Sequence, residues 1–397
     1  MKHRVALLLN IVGSLTVVLT LLLTVAARPL QSAEPIKIGA VLAITGWAGS
    51  MGSYQRDSMT IVSEQINRAG GVLGRPIEIE FEDDQSSPTN AAVAATKLIR
   101  DRKVALLLGS TITAMCMPVV AICERESTPN ISLGAGHDIT VPLKKWVFRI
   151  PLTDYRLSPL MLQFTINTLG ARKIALLHSS DASGMMGAKG ILDSIHQYKD
   201  ASIVAEERFE STDTTMVPQL AKIKAIKPDA IILYTSAAPA AVVAKNWQQL
   251  GMEKTIVVGS HGVPTADFTR IAGKIVDGGQ WVLYGSRDNY GDQVSPSDPW
   301  RKNIYDPFMK ALKEKFDRTD YQAPYGTAHE AVRIGMEALK IAGTDDRAAL
   351  RDAIEKVRYQ GIIGEYIYSP VDHDGLAATA YGPIILKDGK WRPYRKD

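Results

Sequence analysis

Between residues 36 and 259 the chain alternates twice between short apolar runs and longer stretches with helical spacing, which leaves few folds open. In the first series, strands are expected at 36–42, 77–82, 104–108 and 130–133, and helices at 52–69, 91–100 and 114–122. Met59, Val62 and Ile66 mark the buried face of the first helix, and Gly70-Gly71 ends it. The second series predicts strands at 173–178, 201–206, 230–234 and 255–259, with helices at 187–198, 216–226 and 238–250. Alternation of this kind calls for parallel sheets flanked by helices. Two such series in 397 residues predict two similar α/β lobes.

The connectors at 146–154 and 278–285 read as extended and carry or border on Pro or Gly. Helical pattern then dominates 300–357, and a β-like region follows at 361–385. The second sheet is already served by its own helices, so the late helices are expected to return to the first lobe. The chain then crosses between lobes three times, forming a hinge. The expected division is 36–150 with 286–360 in lobe 1, and 151–285 with 361–397 in lobe 2.

Met1-Lys2-His3-Arg4 is a basic start, and the run from Val5 to Val25 is almost wholly apolar. Val25-Ala26-Ala27 supplies the small residues of a cleavage site, so residues 1–27 are read as a signal peptide, with an uncleaved anchor as the alternative. The formal net charge is +4, and no basic stripe interleaved with aromatics suggests a nucleic-acid partner. Cys116 and Cys123 lie seven residues apart; on one helix that is roughly 10 Å, beyond disulfide reach, so both read as packing thiols.

The stretch Leu108-Gly109-Ser110-Thr111-Ile112-Thr113-Ala114 joins a strand directly to a helix through a glycine and three hydroxyls. Free backbone N–H groups at such a helix start, with hydroxyls beside them, can hold an anion. Read alone, the stretch is also an ordinary helix start. Its place at the carboxyl end of a parallel strand, at the crevice between lobes, favours the anion site.

Several ordered motifs carry a resemblance: Ile36-Lys37-Ile38-Gly39 through Thr45-Gly46, Asn67-Arg68-Ala69-Gly70-Gly71-Val72-Leu73-Gly74-Arg75-Pro76-Ile77, Asp83-Asp84-Gln85-Ser86-Ser87-Pro88, Val147-Phe148-Arg149 with Asp154, and Lys227-Pro228-Asp229-Ala230. The set resembles the periplasmic leucine/isoleucine/valine-type (type I) solute-binding proteins of ABC transporters, over nearly all of the chain beyond the leader. The resemblance implies two α/β lobes, three hinge crossings and a small polar ligand in the cleft. It places Trp47 and Met51 at the cleft border, Ser110, Thr111 and Thr113 on the ligand carboxylate, and Gly134, Ala135 and Gly136 as backbone donors. In the second lobe it places Ser183, Ala237 and His261 over the ligand, with Trp47, Trp281 and Tyr284 as the aromatics expected to stack on a ring.

Where the family carries an acid for an α-ammonium, this sequence has His261, and no acid stands in the same loop, Gly259-Ser260-His261-Gly262-Val263. A buried ammonium without a carboxylate is very costly. The loop resembles the branch that takes aromatic or 2-oxo acids, and Ser183 and Ala237 leave room for a ring. The implied function is capture of a small carboxylate in the periplasm and delivery to a membrane permease, by a monomer without cofactor or metal. The alternatives are a branched-chain or other amino-acid binder and a ligand-sensing receptor domain. Enzyme motifs are lacking: no phosphate-binding Gly-x-x-x-x-Gly-Lys-Ser/Thr, no Gly-x-Ser-x-Gly elbow, and no histidines at metal spacing.

Overall fold

The computed structural model describes residues 34–395, and the expected leader at 1–27 lies outside them. The first sheet holds β1 (Ile36–Leu42), β2 (Ile77–Asp83), β3 (Leu106–Gly109), β4 (Asn130–Ser132) and β5 (Val147–Arg149). They lie in the order β2-β1-β3-β4-β5, all parallel. Helices α1 (Gly49–Arg68), α2 (Pro88–Arg100) and α3 (Thr113–Arg125) connect them. Apolar residues alternate to both faces of β1, which is why the sheet is covered twice: Ile36, Ile38 and Ala40 pack with Met59 and Val62 of α1, while Val41 packs with Leu98 of α2 and Val119 of α3.

The second half begins with α4 (Asp154–Gln163) and continues through β6 (Lys173–Ser179), α5 (Ala182–Ser194), β7 (Ser202–Phe209), α6 (Val217–Ile226), β8 (Ala230–Tyr234), α7 (Ala237–Gln249), β9 (Ile256–Gly259), α8 (Ala266–Val276) and β10 (Trp281–Ser286). Later come α9 (Asp306–Phe316), α10 (Ala323–Ala342), α11 (Arg347–Ile354), β11 (Arg358–Gln360), β12 (Glu365–Ile367), β13 (Tyr381–Lys387) and β14 (Lys390–Pro393). The seven-stranded second sheet runs β14-β13-β10-β9-β8-β6-β7. Its β6 to β10 are parallel, and the β13–β14 hairpin closes one edge antiparallel. This is the α/β architecture of two helix-flanked, largely parallel sheets.

The connectors differ from their sequence reading in one respect. Residues expected as free hinge strands at 146–154 and 278–285 begin as sheet members, β5 and β10. Trp281 therefore lies in the second core against Trp247 and Phe268, and Tyr284 is buried with its hydroxyl donating to the Leu160 carbonyl at 2.7 Å. Neither is available to stack on a ligand.

The late helices do return to the first sheet. Ser58 of α1 donates to the Tyr325 carbonyl at 2.8 Å, Arg333 to Gln65 at 3.0 Å, and a Cβ on Gly335 would meet Leu106 at 2.6 Å. Residues 361–376, expected with lobe 2, bond to the first sheet's edge instead. Tyr368 Oη donates to the Arg149 carbonyl at 2.7 Å, and Arg149 N–H to the His373 carbonyl at 2.9 Å. The edge strand β5 has an open hydrogen-bonding side, and this segment fills it. Only from Tyr381 does the chain join the second sheet.

Arg149, at the end of β5, is fully buried and holds this junction together. It pairs with Asp374, and it donates to Thr140 at 2.7 Å and to the Gly136 carbonyl at 2.5 Å. Burial pushes the Asp374 carboxyl up, but Arg149, Thr140 and Arg156 outweigh it and hold the group below its ordinary value. Removing one partner leaves the other charged and unpaired in the interior. Asp374→Ala is expected to cost about 3–5 kcal/mol in urea denaturation. The double variant Arg149→Met/Asp374→Leu is expected to lose less than the sum of its single variants, and additive losses would refute the pairing.

Candidate functional site

The loops at the carboxyl ends of β1, β3 and β4 carry the site residues expected on the first wall, and those after β6, β8 and β9 carry those expected on the second. On the first wall, Gly109 ends β3 at φ +102, where a Cβ would meet the Val41 carbonyl oxygen at 2.1 Å, so only glycine fits. Helix α3 then starts behind Ile112, a residue that cannot cap it, and no side chain takes the first-turn N–H groups. That uncapped helix start is where the sequence leads one to expect an anion.

The hydroxyls beside it divide into two kinds. Ser110 and Thr111 are buried and committed to the framework: Ser110 donates to Asp84 at 2.5 Å, and Thr111 Oγ1 accepts from Ala43 N–H at 2.9 Å. They fasten β1 and β2 to β3 and do not face a ligand. Thr113 is half-buried, and its Oγ1 accepts from Gly136 N–H at 3.0 Å. That bond leaves the Thr113 proton free to donate outward. It also consumes the Gly136 N–H that was expected to serve the ligand directly. Gly136 is glycine because a Cβ there would stand 2.2 Å from the Thr113 methyl, and Gly134 is buried against Cys116. Ala135 is half-buried between them.

Trp47 is 74% exposed and Met51 is 38% exposed, both at the entrance of α1. Their loop is held from beneath. Asp83 accepts from the Ile44 and Thr45 N–H groups at 3.0 and 3.1 Å, and Ser86 bridges the Thr45 carbonyl and the Ala48 N–H. Asp83 and Asp84 are thus loop-shaping residues. Cys116 and Cys123 are buried free thiols, and no group of His, Cys, Asp and Glu suited to a metal occurs among the described residues.

On the second wall, Ser183 lies in the first turn of α5, Ala237 begins α7, and His261 follows β9. Asp181 caps α5 by accepting from Gly184 N–H at 2.9 Å. Ser183 and His261 meet at a residue outside the expected set, Asp154. This acid opens α4 just past the first hinge crossing; its Oδ1 lies 4.0 Å from His261 Nδ1, and the Ser183 hydroxyl faces it. The Tyr381 ring, from the third crossing, stands edge-on to His261 at 5.3 Å. The sequence carries no acid in the His261 loop itself, and Asp154 approaches from outside that loop. Asp154 is 107 positions away in sequence, and the only signal for it was the Val147-Phe148-Arg149…Asp154 spacing at a connector.

Burial pushes Asp154 up to about 7, against the pull of Ser183 and Arg149, and pushes His261 down to about 4. Between pH about 4 and 7 the unfolded Asp154 has released its proton while the folded one keeps it, so Asp154 withdraws stability as pH rises. Folded His261 refuses a proton that the unfolded imidazole takes below 6.5, so His261 withdraws stability as pH falls to about 4. The two slopes oppose each other. His261→Gln is expected to gain stability relative to the parent protein as pH drops from 6.5 to 4.5, by at most about 1.4 kcal/mol per pH unit. Urea titrations at the two pH values measure it, and an equal difference at both would show that the imidazole titrates normally.

Residues 35–383 match the profile of a family described as periplasmic binding protein. A Leu/Ile/Val-binding protein homolog of Brucella melitensis is 23% identical over 361 residues, covering 89% of this chain and 92% of that protein. An extracellular ligand-binding receptor from Rhodopseudomonas palustris HaA2 superposes with a TM-score of 0.80 at 25% identity, covering 91% of this chain and 99% of that one. A solute-binding protein of an ABC transporter from Rhodopseudomonas palustris BisB5, solved with 3,4-dihydroxybenzoic acid, gives 0.75 at 21% identity, covering 90% and 95%. With the profile spanning both sheets and the hinge between them, the chain belongs to the periplasmic binding protein family.

Proposed function

We propose that this protein is an extracytoplasmic solute-binding protein of an ABC importer that captures a small carboxylate between its lobes and presents it to a membrane permease. The observation that carries the reading is the uncapped start of α3 with the Thr113 hydroxyl proton free beside it. A carboxylate there accepts from the first-turn N–H groups and from Thr113, and the helix end adds about 1 kcal/mol of charge attraction. A Kd near 1 μM corresponds to about −8 kcal/mol, so most of the affinity comes from burial and direct hydrogen bonds. The small side chains at Ser183 and Ala237 suit a ring, in keeping with an aromatic acid. A branched-chain amino acid is the second reading, favoured by the name of the Brucella relative. Ligand binding would then favour a closed form over an open one.

Thermal-shift screening against amino acids, aromatic carboxylates and 2-oxo acids is expected to find at least one stabilising carboxylate. Thr113→Val is expected to weaken that ligand about tenfold, the loss of one good hydrogen bond to a charged group, while Thr113→Ser retains it. An unchanged affinity in Thr113→Val would remove the anion-site assignment. Closure is expected to cover Trp47 and shift its emission to the blue, a shift that Trp47→Phe abolishes.

A further inference from the structure

The base of the second sheet, at the opposite end of its strands from the candidate site, carries a row of cations that the fold does not use. The sheet runs β14-β13-β10-β9-β8-β6-β7, and its parallel strands all begin at this end. Each strand from β13 to β7 has a lysine there. Lys387 ends β13, which runs antiparallel to β10 and so finishes where β10 begins. Lys274 lies in the last turn of α8, which leads into β10, and Lys254 stands just before β9. Lys227 follows α6 and precedes β8, Lys173 opens β6, and Lys199 precedes β7. The register sets these strand starts at one level: Lys173 pairs with Ser202, Ile174 with Ala230, Ala230 with Ile256, and Trp281 with Val257. Neighbouring strands lie about 4.8 Å apart, so a row over six strands spans about 24 Å.

All six lysines are exposed, and the acids of the same loops do not grip them. Asp229 accepts from the Arg172 and Lys173 backbone N–H groups, both at 2.8 Å. Asp277 accepts from the Asp388 and Gly389 N–H groups at 3.2 and 2.9 Å. Asp200 pairs with Arg172, and Asp388 with Arg392. Asp229, Glu253 and Asp277 are then the acids here without an ion pair among the described residues, half as many as the lysines, so the row stays net positive.

The form of the row sets its partner. Its charges are spread along a line and do not converge, so it makes no pocket for one small anion. No exposed aromatic side chain stands between the lysines, as stacking on nucleic-acid bases requires. Ammonium groups on flexible stems, in a straight row, suit a plane of many anions, where fixed geometry is not needed. We propose that this lysine row docks the protein, base first, on the surface of an anionic phospholipid bilayer. Ser183, Ala237 and His261 come from the other ends of the same strands, so docking leaves them uncovered. The inference is independent of which ligand the cleft takes.

Sedimentation of the full-length protein with vesicles tests it. Binding to mixed phosphatidylglycerol and phosphatidylcholine vesicles is expected at low salt, at least about tenfold tighter than to phosphatidylcholine alone, and lost at about 0.5 M NaCl. An apolar segment would insert into either lipid, so the neutral arm separates insertion from docking. Each lysine near the surface is worth about fivefold, so Lys173→Gln/Lys227→Gln/Lys254→Gln/Lys387→Gln is expected to bind roughly a hundredfold more weakly or worse. Lys103→Gln/Lys245→Gln/Lys302→Gln/Lys356→Gln removes as many exposed lysines from elsewhere. This control is expected to stay within about threefold of the parent, because its charges lie more than a Debye length from the docked face. Equal binding to both lipids, binding to neither, or undiminished binding by the first variant overturns the docking. An equal loss in the control overturns it too, since net charge alone would then account for the binding. Binding to duplex DNA with none to anionic vesicles overturns it in favour of a nucleic acid.

Discussion

The buried pair between Arg149 and Asp374 is the constraint on which the rest of the molecule depends. Arg149 ends the edge strand of the first sheet and is wholly withdrawn from water. Its Nη1 holds the Gly136 carbonyl, which fixes the loop after β4, while its Nη2 holds both Thr140 and Asp374, which ties that loop to the return segment on the open side of β5. Arg156 of α4 reaches Asp374 and Asp372 from the far side, at 3.3 and 2.9 Å. A single charge cluster therefore sets the first-wall loop, the first crossing and the third crossing relative to one another. In the dry interior the two charges tolerate burial because each compensates the other.

The second crossing has its own lock of the same kind. Ser286 and Tyr321 both donate to Asp288, whose carboxyl burial pushes up to about 6. Tyr321 stands just before α10 and packs on Tyr325, so this lock joins the end of β10 to the helices that belong with the first sheet. The hinge is thus not a set of loose linkers. The first two crossings leave β5 and β10, and each is fastened within a few residues by a buried ion pair or hydrogen bonds to a buried carboxylate, Asp374 and Asp288 respectively.

Much of this was legible in the sequence because it rests on local pattern. The βα alternation named the parallel strands, the glycines after α1 named its end, and the late helical stretch could only return to the first sheet. The direct strand-to-helix turn after β3 was legible for the same reason. What the sequence withheld depends on three-dimensional closure. Ser110 and Thr111 look like Thr113 in composition, yet they face Asp84 and Ala43, and only tertiary packing decides which hydroxyl is spent. Trp281 and Tyr284 looked free because their segment was read as a connector, whereas it pairs in register with β9 and β13. Asp154 was not expected beside Ser183 and His261 because those two arrive from two other strand ends.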